Sequence, residues 1–97
     1  MERTLRAPSY AQQFAHWRRQ EVMAEVRHAC RKAGMPRLTL GLYYAFALDL
    51  GRLGGPCCDG RIIRALAPRL VRRWAERGLD AGLLRKLVYN LTNVAVD

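Results

Sequence analysis

The arginines of this chain are its strongest candidates for binding a ligand. The run from Arg61 to Arg77 reads RIIRALAPRLVRRWAER. At about 100° per residue, as on an α-helix, most of its arginines gather on one side. The other side is the predicted apolar stripe, with Ile63, Leu66, Ala67, Leu70 and Trp74. Guanidinium groups offer forked donors that suit phosphate oxygens, so the arginine side is predicted to bind the phosphates of nucleic acid. We call it the arginine face, and its members are Arg61, Arg64, Arg69, Arg72 and Arg73.

The overall charge agrees with a polyanionic partner such as DNA or RNA. The chain has 17 Lys and Arg against 8 Asp and Glu, which gives a net charge of +9. Such an excess attracts polyanions at low salt, although a solvated helix face in an arginine-rich composition would carry the same charge. Arg85, Lys86 and Tyr89, from the next predicted helix, extend the arginine face if the two helices lie side by side.

Aromatic residues give the alternative prediction, a surface that binds protein. Tyr10, Phe14 and Trp17 cluster on one flank of the first predicted helix, and Tyr43 and Tyr44 lie in the second. Exposed aromatic patches carry binding energy in interfaces, whereas buried ones belong to the core. The alternative function is therefore an inhibitor or adaptor, of the phage or mobile-element type, that docks on a larger acidic protein. A homodimer is a further candidate assembly.

Metal binding and catalysis find little support in the candidate residues, which are His16, His28, Cys30, Cys57 and Cys58. Zinc requires four converging ligands, usually from spaced pairs, but adjacent cysteines diverge. A nucleophile requires a base and an orienting group, and the spacing indicates neither. We expect no metal, no cofactor and no enzymatic activity, with Cys30 as a small core residue.

The composition favours a cytoplasmic location. The beginning of the chain, MERTLRAPSY, lacks the apolar segment of a secretory signal, and three cysteines are an odd number. The longest apolar stretch, Leu38 to Leu50, is shorter than the roughly 20 residues that a membrane-spanning helix needs. We therefore expect reduced thiols and no transmembrane segment.

Two helices are predicted in the first half of the chain. The first begins at Ser9, in a sequence that resembles a capping box, and runs to about Ala33, where Gly34 stops it. The second has Thr39 as its N-cap and ends at Gly54. It is apolar nearly all round, which predicts the buried centre of the fold or an association surface. Its aromatic residues also admit a strand, without a hairpin partner.

Two more helices are predicted in the second half. Pro68 lies inside the third, where it favours a kink or a break. Gly78 ends that helix, and Leu79 can fold back on the last turn. The fourth begins at an Asp80 cap and runs to about Asn93.

The expected fold class is all-α, a compact single-domain bundle of about four helices with residues 1–8 loose. A helix-turn-helix fits the third and fourth helices poorly, because Trp74 stands where that motif needs a small residue. A simple helical hairpin is predicted there instead.

Overall fold

The described residues fold into four α-helices and one short 3-10 turn. The computed structural model describes residues 10–53 and 60–96, with the backbone alone for residues 10–17. In chain order the elements are α1 (Tyr10–Lys32), a 3-10 turn (Arg37–Thr39), α2 (Leu40–Leu53), α3 (Gly60–Ala75) and α4 (Ala81–Thr92). The all-α prediction is confirmed, and the strand alternative for the second segment is wrong.

The turn after α1 forms at Gly34, as predicted. Gly34 adopts a positive φ of 72°, which glycine tolerates without the steric cost of a side chain. Its N–H donates to the Arg31 carbonyl at 3.1 Å, and the N–H of Met35 donates to the Cys30 carbonyl at 3.0 Å. This pair of bonds is a Schellman motif, which satisfies carbonyls at the end of α1 and reverses the chain.

The beginning of α2 differs from the prediction. The Thr39 hydroxyl donates backwards to the Pro36 carbonyl at 2.7 Å and closes the 3-10 turn, so Thr39 does not cap α2. One side of α2 is buried through Tyr43, Phe46, Ala47 and Leu50, whereas Leu42 on another side is 49% exposed. Among the described helices, even apolar α2 is not long and apolar enough to cross a membrane.

The third helix continues through Pro68. The structure has a single helix from Gly60 to Ala75 with Pro68 inside it, so the predicted break is wrong. Pro68 has no N–H to donate to the Arg64 carbonyl, and the helix accepts the loss of that one bond. The kink stays a prediction. The buried residues of α3 are Ile63, Ala67, Leu70, Val71 and Trp74.

The turn between α3 and α4 is a second Schellman motif. Gly78 has a φ of 104°, and its N–H donates to the Ala75 carbonyl at 3.0 Å. The N–H of Leu79 reaches the Trp74 carbonyl at 3.4 Å, and the Leu79 side chain is buried. The predicted stop at Gly78 and the return of Leu79 onto the last turn are confirmed.

Side-chain and backbone caps define both ends of α4. The Asp80 carboxylate accepts a hydrogen bond from the Leu83 N–H at 3.0 Å, which confirms the predicted N-cap. At the other end Asn93 adopts a left-handed φ of 64°, and its N–H donates to the Tyr89 carbonyl. The tight connection and these caps make α3 and α4 a helical hairpin.

One hydrophobic cluster joins all four helices. Helix α2 packs against α1, α3 and α4, and α4 also packs against α1 and α3. Phe46 of α2 is fully buried and meets the Trp74 ring of α3 edge to face, with ring centroids 6.3 Å apart. The core therefore fixes α3 and α4 side by side, which is the arrangement that the extended arginine face requires.

Candidate nucleic-acid interface

The arginine face lies on the solvent side of α3. All five of its arginines are exposed. They cover roughly half of the helix circumference, and the residues that enter the core cover the other side. Leu66, predicted in the apolar stripe, is instead 37% exposed, and Val71 is buried. The face therefore forms because α3 presents its apolar side to α2 and α4.

Most of these guanidinium groups have no anionic partner in the described part of the chain. The structure gives an ion pair between Arg52 and Asp49, with 3.2 Å between Nη1 and Oδ1, in α2. No carboxylate of the described residues pairs with Arg64, Arg69, Arg72 or Arg73. Their charge is uncompensated within the described residues and is available to an external anion.

A groove of about 250 Å³ connects the arginine face with α4. Arg72 of α3 and Arg85 of α4 both line it, and Pro68, Ala75 and Ala81 contribute to its walls. These alanine side chains keep the walls low between the two helices. Two guanidinium groups from different helices thus border one depression, and the basic surface crosses from α3 to α4.

Tyr89 and Lys86 are both exposed on α4. Tyr89 is 52% exposed and lies one helical turn from Arg85, so its ring is accessible beside the groove. Lys86 is exposed too, but it lies one turn from Asn90, whose amide donates to Glu25 of α1 at 2.9 Å. Lys86 therefore lies between the side of α4 that carries Tyr89 and the side that faces α1, and its place in the extended arginine face stays a prediction.

Arg77 has a role that the sequence analysis did not assign. Its guanidinium lies over the Trp74 ring, 4.6 Å from the ring centroid, in a cation–π arrangement. The indole N–H of Trp74 is buried and has no acceptor among the described residues. Arg77 therefore covers the edge of the core. Its spacing of three residues from Trp74, within the third helix that the sequence predicts, was the available signal.

The aromatic prediction for a protein interface needs one correction. Tyr43 is only 2% exposed, because its ring belongs to the core and its hydroxyl accepts a hydrogen bond from the Asp80 N–H at 2.9 Å. It offers no surface to a partner. Tyr44 is half-buried against the same core. The side chains of Tyr10, Phe14 and Trp17 lie outside the described residues.

Cys30 is a core residue, as predicted. It is buried at the end of α1, and burial raises the pKa of its thiol. A raised pKa leaves the thiol neutral near pH 7 and weakens it as a nucleophile. Among the residues that the structure describes, no three His, Cys, Asp or Glu side chains form a group able to hold a metal ion. Cys57, Cys58 and the side chain of His16 lie outside them.

Comparison with known proteins leaves the site to be interpreted from its own residues. Three features of the site indicate its function: the uncompensated arginines, the groove that joins two helices and the exposed Tyr89 ring. No protein-family model, curated protein or solved structure matches this chain.

Proposed function

We propose that this protein is a small, basic, non-enzymatic regulatory or accessory protein that binds nucleic acid through the arginine face. The observation that carries the proposal is the groove between α3 and α4, which Arg72 and Arg85 line together. A row of cations on one helix is common on solvated surfaces. A cationic surface that continues across two packed helices is better suited to a polyanion.

The dimensions of the face suit a nucleic-acid backbone. Arg61 and Arg73 are separated by about 18 Å along the axis of α3, at 1.5 Å per residue. Each strand of duplex DNA carries a phosphate about every 3.4 Å along its axis. The face could therefore contact several successive phosphates. Such contacts supply affinity and position, and little sequence discrimination.

Tyr89 supports a contribution from stacking. Its exposed ring lies one helical turn from Arg85, so a base could stack on it while Arg85 and Arg72 hold the adjoining phosphates. Stacking of this kind requires an unpaired base. We therefore expect Tyr89→Ala to weaken binding of single strands and to leave duplex binding nearly unchanged.

The first test is a titration against labelled nucleic acids. The protein would be purified in high salt with nuclease treatment and titrated into duplex and single-stranded DNA and RNA, at about 0.05–0.3 M salt. We expect binding near 0.15 M salt with a steep salt dependence, because each neutralised phosphate releases counterions. An absence of binding, or binding only at the lowest salt, would contradict the proposal.

A pair of charge-matched variants separates the face from general attraction. Arg64→Ala with Arg72→Ala removes two charges from the face, whereas Arg19→Ala with Lys32→Ala removes two exposed charges from α1. The first variant should bind every sequence at least about tenfold more weakly, with a salt slope shallower by about two contacts. Equal losses in the two variants would show that net charge alone attracts the polymer.

The alternative function is an adaptor or inhibitor that docks on an acidic protein. The observation that favours it is the exposure of Leu38 at 96% and of Leu42, four residues further along. Apolar anchors of this kind bind partly independently of salt. The same titration therefore distinguishes the two functions, because a leucine-anchored complex would persist at salt concentrations that release nucleic acid.

A further inference from the structure

A second group of arginines, earlier in the chain than the arginine face, lines a cavity. The cavity has a volume of about 540 Å³ and lies where the end of α1, the connection after it and the start of α2 meet. Arg27, Arg31 and Arg37 line it. Its volume falls within the range of about 300–1,000 Å³ that is typical of small-molecule sites.

The turn at Gly34 brings these arginines together. Arg27 and Arg31 lie one helical turn apart on α1 and therefore share a side of that helix. Arg37 begins the 3-10 turn, which the chain reaches only after the reversal at Gly34. Arginines from two elements thus line one cavity.

Apolar and neutral groups form the rest of the lining. They include the buried thiol of Cys30, the Met35 side chain and Leu40. The thiol is neutral near pH 7 because burial raises its pKa, and no carboxylate occurs among the described lining residues. The helix dipoles of α1 and α2 meet the cavity with opposite ends and offset each other. The three guanidinium groups therefore set the sign of its charge.

The wall at Met35 is held in place before any ligand arrives. The Met35 N–H donates to the Cys30 carbonyl at 3.0 Å. Its sulfur accepts a hydrogen bond from the Tyr43 hydroxyl at 3.7 Å. Tyr43 is itself buried in the core and bound to the Asp80 N–H. Preorganised walls reduce the entropy that a ligand must lose on binding.

We propose that this cavity binds a small organic phosphate, with the phosphate held by Arg31, Arg37 and Arg27 and its apolar or planar part against Met35 and Leu40. Guanidinium forks match phosphate oxygens, and three like charges around one cavity repel one another until an anion joins them. The cavity suits a small ligand because arginines of two elements line it together, whereas those of the arginine face spread over the solvent side of one helix.

The experiment follows the methyl group of Met35 by NMR in the full chain labelled with [¹³C-methyl]methionine. Met35 lines the cavity, and Met23 on α1 is the internal control because it is not among the lining residues. The probes are adenosine monophosphate, inorganic phosphate and adenosine. We expect a saturable shift of Met35 with adenosine monophosphate, a weaker response to phosphate, and none to adenosine, while Met23 stays unchanged.

Other outcomes would overturn the proposal or change the ligand. An unmoved Met35 resonance at millimolar adenosine monophosphate would exclude the site. An equal response to phosphate and adenosine monophosphate would show that the apolar lining contributes nothing, and a response to adenosine would show that the charge contributes nothing. Each of these contradicts an organic phosphate as the ligand.

Two variants locate the response. Arg31→Ala with Arg37→Ala should weaken adenosine monophosphate at least about tenfold, since each removes a charge-assisted hydrogen bond. Arg19→Ala with Lys32→Ala removes the same charge from parts of α1 that do not line the cavity, and should leave the midpoint unchanged. If adenosine monophosphate bound equally weakly to both double variants, general attraction by the net charge would explain the response. If the double variant unfolds by circular dichroism, Arg37→Lys, which keeps the charge and loses the fork, should still weaken binding several-fold.

Discussion

The two groups of arginines in this protein differ in shape more than in charge. On α3 the side chains radiate from one continuous helix, and a groove of about 250 Å³ shared with α4 lies beside them. At the end of α1, a chain reversal brings Arg37 to the same side as Arg27 and Arg31. The three arginines line a cavity of about 540 Å³. The same residue type therefore suits an extended polyanion in one region and a small anion in the other. The difference arises from the backbone that carries the side chains.

Phe46→Ala has the largest expected effect, because both regions rest on one core. Phe46 is fully buried and meets Trp74 of α3 edge to face. Truncating a buried phenylalanine costs about 3–5 kcal/mol, a large part of the stability of a domain this size. Chemical denaturation should show a midpoint that is lowered equally for helix content and for the Met35 methyl signal. Separate midpoints would show that the two regions fold independently.

The two turn glycines allow a direct comparison of the regions. Gly34 shapes the cavity and Gly78 shapes the hairpin, and a Cβ at either position would meet no atom within 4 Å. Alanine should therefore cost backbone strain alone. At Gly34 the φ of 72° is close to the left-handed helical value, so we expect about 1 kcal/mol. At Gly78 the φ of 104° lies beyond it, and about 2 kcal/mol is expected.

Denaturation of Gly34→Ala and Gly78→Ala measures this difference in the free energy of unfolding. Gly82→Ala, within the first turn of α4, separates crowding from backbone strain. Gly82 has no positive φ, but an added Cβ there would lie 3.1 Å from an Asp80 carboxylate oxygen. Equal costs at Gly34 and Gly78, or a greater cost at Gly34, would contradict the account based on φ.

Tyr43 connects the two regions, so Tyr43→Phe should change both the stability of the hairpin and the surroundings of Met35. Its hydroxyl donates to the Met35 sulfur and accepts from the Asp80 N–H at the start of α4. Without the hydroxyl, the partly buried Asp80 N–H loses its acceptor, at a cost of about 1 kcal/mol. We expect a lower denaturation midpoint and a shifted Met35 methyl resonance. Tyr89→Phe is the matched control, within about 0.5 kcal/mol of wild type because Tyr89 is exposed.

Much of the fold could be predicted because its signals are local. Gly34 and Gly78 stop helices in Schellman motifs, and the Asp80 carboxylate caps α4. Each signal depends on a few adjacent residues, so the sequence alone contains it. The arginine face follows in the same way, from the helical period within α3. The predicted Thr39 cap did not form, because the Thr39 hydroxyl hydrogen-bonds to the Pro36 carbonyl within the 3-10 turn.

Features that depend on how helices pack could not be predicted in the same way. Helical periodicity placed Leu66 in the core, but the position of α3 against its neighbours buries Val71 instead. The cavity at the end of α1 requires the relative placement of α1 and α2, so nothing in the spacing of Arg31 and Arg37 revealed it. Tyr43 was predicted as an interface residue because it is aromatic. Its burial could not be foreseen, since the contacts that hold it include a hydrogen bond to Asp80 that spans 37 positions of the chain.

Arg77→Ala is the smallest expected effect, and it tests whether every arginine near α3 belongs to the face. The Arg77 guanidinium covers the Trp74 ring, so its loss should lower stability by about 0.5–1 kcal/mol. Arg73→Ala, four residues earlier and without a ring partner, should leave stability within about 0.5 kcal/mol. Thermal denaturation measures both.

Nucleic-acid binding should show the opposite order in these two variants. Arg73 is an uncompensated member of the arginine face, so Arg73→Ala should weaken binding and reduce the salt slope by about one contact. Arg77 already uses its guanidinium on Trp74, so Arg77→Ala should change affinity less, although it removes the same charge. This crossover would separate a structural arginine from a binding one, because equal charge is lost in both cases. A greater loss of affinity in Arg77→Ala would instead place the binding surface at the turn between α3 and α4.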